Sequence, residues 1–290
     1  MRRHIPVLLD EIVEVFPNAG KTYLDGTLWH AWHTQILLKT YPDIQLVWID
    51  KDDKMITKAK HFLWEDAQRI SLVQWTYSDF EKITSESWVP AFDCMLLDLG
   101  VNMDHFKVAE RGFSIKLDGD LDMRFDTTSW MPVSERLKKT HFEELDTLFT
   151  HYTDFWQQYR EWISRELIIA KRKNPFETTG DVKVWAKKHG INAKVLAILF
   201  QAWRIYINNE LGDLEDFLKI FDNYLLPWGR CCVITYHSSE DRLVKVRFKE
   251  LVDKKEWLLY NKKVIKPNRK ELERNKASRS AKLRIFEKSE

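Results

Sequence analysis

Apolar positions along the first hundred residues fall into short runs of two kinds. Residues 6–16, PVLLDEIVEVF, repeat at helical spacing with Pro6 in the first turn. KTYLDGT (21–27) reads as a strand, HTQILLKTY (33–41) as a helix, and IQLVWIDKD (44–52) as a buried second strand ending in acids. KMITKAKHFL (54–63) predicts a helix and ISLVQW (70–75) a third strand. FDCMLLDLG (92–100) predicts a fourth strand, apolar until Asp98. Strands alternating with helices predict an α/β fold, a parallel sheet covered by helices on both faces.

The alternation then stops. Residues 102–126 are polar and rich in turn formers, and residues 134–200 are helical in period. Three helical stretches are expected there: 134–152, 160–173 and 181–200, with Asn174-Pro175 separating the last two. Residues 105–200 therefore read as a helical insertion, splitting the α/β domain into 1–104 and 201–290. The second part predicts a long helix over 204–225, a turn at LLPWGR (225–230) and a fifth buried strand, RCCVITY (230–236). A helix over 238–251 follows, with Ser238 and Asp241 at capping-box spacing, and then strands at 257–265 and 281–288.

Composition excludes several classes. At 290 residues with 44% hydrophobic and 31% charged residues, the chain has the make-up of an ordinary globular protein. No run approaches the ~18 apolar residues of a membrane span, and the start of the chain lacks the apolar core of a signal peptide. A cytoplasmic location is expected. Cys94, Cys231 and Cys232 lie in apolar runs without metal-ligand spacing, so no metal site is expected. Net charge is only +2, but bases dominate from Lys262 to Lys288. Such a run suits either a solvated face or an RNA phosphate footprint.

In open α/β sheets, ligands bind beyond the carboxyl ends of the strands. Asp25, Asp50 and Asp98 end strands one, two and four. Each alone reads as a turn or cap residue; three at three strand ends point to a ligand. An acid after strand two is placed to accept hydrogen bonds from ribose hydroxyls, in a dinucleotide or in S-adenosylmethionine. The turn after strand one, DGTLWHAWH, lacks the glycines of the dinucleotide fingerprint. His33 alone there is more simply structural. RGFSIKLDGDLDMRFD (111–126), bracketed by Arg111 and Arg124, reads as an ordered loop over a cleft. YHSSEDRLVK (236–245) begins a capped helix and directs His237 to the same sheet end.

These segments resemble the small-subunit (16S) ribosomal RNA cytosine-N4 methyltransferase family, MraW. The resemblance is carried by HIPVLLDEIV, DGTLWHAWH, IDKD, LLDLGV with AERGFSIKLDGDLDMRFD, FQAWRIYINNEL, LLPWGRCCVITYHSSEDRLVK and SRSAKLRIFEK, in order along nearly the whole chain. It implies a class I S-adenosylmethionine-dependent methyltransferase, Rossmann-like with a mostly parallel seven-stranded sheet, and a helical substrate-recognition domain inserted after strand four. It implies N4-methylation of one cytosine, position 1402 of 16S rRNA in the small ribosomal subunit, by a cytoplasmic homodimer. The cofactor contacts it implies are Ala31, Trp32, His33, Asp50, Tyr77, Asp98 and His105. At the last, this chain reads VNMDHFK where the family carries a Ser-Ser-Pro-Gln type run. Asp98 is expected to accept the amine's hydrogen bond or proton. Arg111, Phe113, Arg124 and His237 are the expected substrate contacts, holding an unstacked base.

The family places glycine where this chain has Trp32, Trp48 and Trp228, and Trp29 lies in the same cofactor turn. Trp75, Trp88 and Trp130 also stand in turn-like contexts. Glycine numbers only 9 and tryptophan 13. One explanation is a UGA codon that the source reads as glycine and that has been translated as tryptophan. Trp185, Trp203 and Trp257 sit in regular patterns and read as genuine. The rival is a non-catalytic RNA-binding relative with a blocked cofactor site. A nicotinamide-linked oxidoreductase shares the strand-end acids but explains neither the helical insertion nor the basic tail.

Overall fold

In the computed structural model, placement is described for all residues except 1–5, 17–19, 28–31, 63, 129–130, 256, 262 and 290. A seven-stranded sheet has the order β3-β2-β1-β4-β5-β7-β6. Its strands are β1 (Thr22–Asp25), β2 (Gln45–Asp50), β3 (Ile70–Gln74), β4 (Phe92–Asp98), β5 (Leu225–Thr235), β6 (Leu258–Leu259) and β7 (Lys282–Glu287). The first five pair in parallel, and β7 runs antiparallel to both β5 and β6. This is the mostly parallel seven-stranded class I sheet that the family resemblance implies. The first four strands arise from runs apolar enough to be covered on both faces. Helices α1 (Leu9–Val15), α2 (Trp32–Thr40), α3 (Asp53–Phe62) and α4 (Phe80–Ser87) connect or precede them.

The chain divides into two compact units, the first Met1–Gly100 with Gly212–Glu290 and the second Val101–Leu211. The second is helical: α5 (Val133–Lys139), α6 (Phe142–Tyr152), α7 (Gln157–Lys173), α8 (Thr179–Lys188) and α9 (Ala193–Ile207). They close on their own core, which includes Phe149, Leu167, Val182, Leu199 and Trp203. The first unit's core is separate and includes Tyr23, Leu37, Trp48, Leu96 and Ile234. Helices α10 (Glu210–Ile220), α11 (Ser238–Lys255) and α12 (Arg269–Arg274) complete the chain. Among the described residues, no helix is long and apolar enough to cross a membrane.

Several expected elements break or shift. The stretch 134–152 becomes α5 and α6, and 181–200 is interrupted at Gly190, which has φ 68°. The long helix expected over 204–225 is two, α9 and α10, parted at Asn208 and Asn209. Asn208 Nδ2 donates to Met123 O (2.7 Å), its Oδ1 accepts from Phe125 N (2.7 Å), and Asn209 takes φ 53°. The expected turn LLPWGR lies inside β5 as a bulge, since Leu225 faces Phe92 and Arg230 faces Cys94. The expected capping box also moves by one residue. Glu240 accepts from the backbone N–H of His237 at 3.2 Å, whereas Asp241 pairs with Lys282 and Arg284 on β7. The strand expected over 257–265 shortens to β6 plus a bridge from Ile265 to Leu283.

Among the described residues, two tryptophans hold left-handed backbone. Trp88 ends α4 with φ 62° and ψ 18° and is 89% exposed. Trp228, in the β5 bulge, has φ 62° and is 56% exposed. A left-handed residue after a helix is the usual place of glycine, and a side chain there costs roughly 1–2 kcal/mol. Neither indole recovers this by burial. Trp88→Gly and Trp228→Gly are each expected to raise unfolding stability by about 0.5–1 kcal/mol, the relief of strain less glycine's added chain entropy. Trp88→Ala, which keeps the β-carbon, is expected to give less. Urea midpoints measure this, and equal gains from alanine and glycine would contradict it.

Candidate active site at the carboxyl edge of the sheet

Parallel pairing brings the ends of β1 and β4 together. Asp25 lies opposite Leu96, and Gly26 N donates to Leu96 O at 2.9 Å. A β-carbon on Gly26 would lie 2.3 Å from Leu97 Cδ2 and 3.1 Å from Tyr77 Cβ, so the turn needs glycine there. Thr27 then ties the two strand ends. Its N–H donates to Asp25 Oδ1 (3.2 Å), and its hydroxyl accepts from Asp98 N (2.8 Å). Thr34 on α2 donates to Asp25 Oδ2 at 2.8 Å. Tyr236, just past β5, donates its hydroxyl to Asp98 Oδ1 at 2.7 Å.

Both carboxyls are buried, Asp25 3% and Asp98 5% exposed. Burial pushes Asp25 up to about 7, against the pull of its bonds from Thr34 and Thr27. Burial also pushes Asp98 up to about 8; Asp25 and Glu240 add to this, and the Tyr236 hydroxyl opposes it. Asp50, half-buried at the end of β2, accepts from Asp52 N at 2.8 Å. These donors and acceptors fit S-adenosylmethionine. A carboxylate at the end of β2 suits a ribose diol, and two buried carboxyls raised by desolvation suit a cationic sulfonium.

The other expected contacts separate into groups. His33 is buried, and its Nε2 donates to Val7 O at 2.9 Å, so it anchors the segment before α1. Tyr77 packs edge-on to Phe217. Ala31 and Trp29 lie outside the described residues, as does Trp130; of Trp32 only the backbone, the first residue of α2, is described. Trp48 is ordinary strand backbone and 1% exposed. His237 lies with its Nε2 2.8 Å from Glu240 Oε1, without the alignment of a hydrogen bond.

In the helical unit, His105 stacks on Phe113 with centroids 4.9 Å apart, and Phe113 stacks on Phe125. Gly112, at φ 73°, closes the 111–126 loop where a β-carbon would meet Asp120 O at 2.3 Å. The two arginines turn inward. Arg111 is buried and donates to the carbonyls of Arg124 and Phe125, at 2.8 and 3.2 Å. Arg124 forks onto Asp122 at 2.7 and 2.9 Å and also reaches Thr127 O. They hold the loop's shape. Beside it lies a cavity of about 620 Å³ lined by Phe106, Phe113 and Phe200, with Gln201, Lys107 and Lys116 among its polar groups. In the first unit, Lys263, Lys266, Arg269, Lys270, Arg274, Lys276 and Arg279 are all exposed.

Asp98 is legible in the sequence as a strand-end acid, whereas its partners Thr27 and Tyr236, and Thr34 beside Asp25, are not. Only the position of Tyr236 beside His237, immediately after a buried strand, signalled it. Among the described residues no group of side chains is arranged to hold a metal ion.

The raised carboxyls have a consequence for stability. Unfolded, Asp25 and Asp98 titrate near the ordinary value of ~4; folded, they keep their protons to about 7 and about 8. The folded state binds more protons across that window, so their contribution is complete below pH ~4 and is lost as pH rises through 7–8. Asp98→Asn is expected to stabilise the protein at pH 9 relative to wild type, with most of the gain gone by pH 5. Melting temperatures across that range measure it, and a gain independent of pH would contradict it.

The model of the MraW methylase family matches residues 1–289. A relative from Coprothermobacter proteolyticus, "Ribosomal RNA small subunit methyltransferase H", is 34% identical over 98% of this chain and 96% of its own. One of the same name from Mesoplasma florum is 33% identical over 99% of this chain and 100% of its own. A third, from Trichormus variabilis, is 34% identical over 98% and 92%. These matches set aside the oxidoreductase reading. With its class I sheet and buried strand-end carboxyls, the chain belongs to the MraW methylase family.

Proposed function

We propose that this chain methylates the exocyclic N4 of cytosine 1402 in small-subunit 16S rRNA, using S-adenosylmethionine. The observation that carries the reading is Asp98, a buried carboxyl at the end of β4 fixed by Thr27 and Tyr236. The relatives' names support the substrate. S-adenosylmethionine supplies an electrophilic methyl on a cationic sulfur. The amine's lone pair is delocalised into the cytosine ring, so the chain must orient the amine and take up its proton. Asp98 serves as that acceptor. A cation at this strand edge favours its ionised form. Asp50 holds the ribose, and Ala31, residue 32, His33, Tyr77 and His105 complete the proposed cofactor contacts.

The base must leave its stack to react. Phe113 and the cavity beside it suit an unstacked base, with Arg111 and Arg124 keeping the loop in shape and His237 at the sheet edge. The exposed bases between Lys263 and Arg279 suit RNA phosphates. A cytoplasmic homodimer completes the reading.

The reading extends to the tryptophans. We propose that residues 88 and 228 are glycine in the natural protein, through a UGA codon read as glycine, and that 29 and 32 in the cofactor turn are too. The left-handed φ of Trp88 and Trp228 supports this. Trp75 shows no such strain; its Nε1 donates to Asp79 at 2.8 Å and Lys82 sits 3.5 Å from its ring centroid. With glycine at 29 and 32 the sequence puts no indole in the cofactor turn, which disfavours the non-catalytic alternative. Peptide sequencing by mass spectrometry of protein from its own host is expected to read glycine at 88 and 228. Tryptophan at both would overturn the recoding.

The function is tested on 30S subunits and naked 16S rRNA lacking the modification, with labelled S-adenosylmethionine. N4-methylcytidine at position 1402 is expected. Asp98→Ala is expected to lower kcat by about 100-fold or more, the usual range for a lost acid-base group, and to weaken cofactor binding as well. No transfer to either RNA, or full activity in Asp98→Ala, would contradict the proposal.

A further inference from the structure

The Asp98 carboxyl is gripped from a direction that the strand-end pattern does not account for. Asp98 faces Ile234 in the β4–β5 register, and Leu99 N donates to Ile234 O at 3.0 Å. Two residues on, the chain leaves β5, and Tyr236 turns its hydroxyl onto Asp98 Oδ1 at 2.7 Å. The other end of this tyrosine is also fixed. Its backbone N–H donates to Glu240 Oε2 at 2.8 Å, and the same carboxylate receives the N–H of His237, so the start of α11 sets the position of the ring. Glu240 is itself only 2% exposed. The phenol is therefore clamped between a helix start and the strand-end carboxyl.

We propose that Tyr236 is a positioning residue for the methyl transfer: it fixes the plane of the Asp98 carboxyl and favours the ionised form that accepts the amine's proton. This rests on Asp98 acting as the acceptor. The chemistry around Asp98 makes such a donor necessary. Asp25 and Tyr23 on β1 and Glu240 on α11 face it, and the two acids, like burial itself, disfavour a second negative charge. The Tyr236 hydroxyl works against all three. A donor to a carboxylate stabilises the charged form more than the neutral one. The tyrosine gives up no proton in the reaction; it keeps its hydrogen bond while Asp98 gains the proton lost by the cytosine amine.

The test is Tyr236→Phe, which keeps the ring and removes only the hydroxyl, in a chain carrying the residues that peptide sequencing finds. The kcat–pH profile is the first readout. The limb on which activity falls towards acid is expected to move up by about one pH unit, from the usual size of a hydrogen bond to a charged group. Activity lost at pH 7 then returns at pH 9, where Asp98 is ionised and cofactor Kd stays within about twofold of wild type. The second readout needs no catalysis: the Asp98 side-chain carbon, followed by NMR in the free protein, is expected to titrate about one unit higher in the variant. An unchanged profile, or a uniform loss at every pH, would overturn the proposal. If wild type transfers no methyl at all, the assignment of the reaction fails instead, and the carbon titration still decides whether Tyr236 controls Asp98.

Discussion

The parallel pairing of β1 with β4 is the constraint from which the site follows. It buries two carboxyls at adjacent strand ends, and burying charge is costly unless partners meet it. The surrounding residues answer that cost. Thr27 bridges the two ends, Thr34 reaches back from α2 to Asp25, and Tyr236 reaches in from β5 to Asp98. Gly26 lets the turn pass against Leu97. The result is a sheet edge that keeps protons well above the ordinary carboxylate range and has reason to release them when a cation arrives.

The helical unit answers a different need. Its 111–126 loop is irregular, yet it is held from within by Arg111, Arg124 and Gly112. Loops of this kind stay ordered only when their polar groups are satisfied. The two arginines expected to contact the substrate base, Arg111 and Arg124, make these internal bonds. The aromatic groups they support, Phe113 and its neighbours, are left to line the cavity.

Much of the fold was legible because parallel strands are apolar on both faces and their acids mark the carboxyl ends. Asp98 was visible for that reason. Tyr236 was not, since a tyrosine after a strand has many ordinary roles and its partner lies far along the chain. The helix break at Asn208 was hidden because its causes, Met123 and Phe125, belong to another segment. The displaced cap at His237 was hidden too, because the arginine and lysine on β7 claim Asp241. The tryptophans were legible as anomalies of composition, and backbone angles separate them. Trp88 and Trp228 sit where a β-carbon is strained, whereas Trp48 and Trp75 do not.

The most direct measurement is the proton balance of cofactor binding. Calorimetric titration of the host-derived protein at pH 7, in buffers of different ionisation heat, counts protons released per S-adenosylmethionine bound. A clear release is expected, because a cationic sulfonium at this edge ionises carboxyls that hold protons to about 7 and about 8. S-adenosylhomocysteine, neutral at sulfur, is expected to release distinctly fewer. Equal release by the two ligands, or no binding of either, would contradict a site built on these two buried carboxyls.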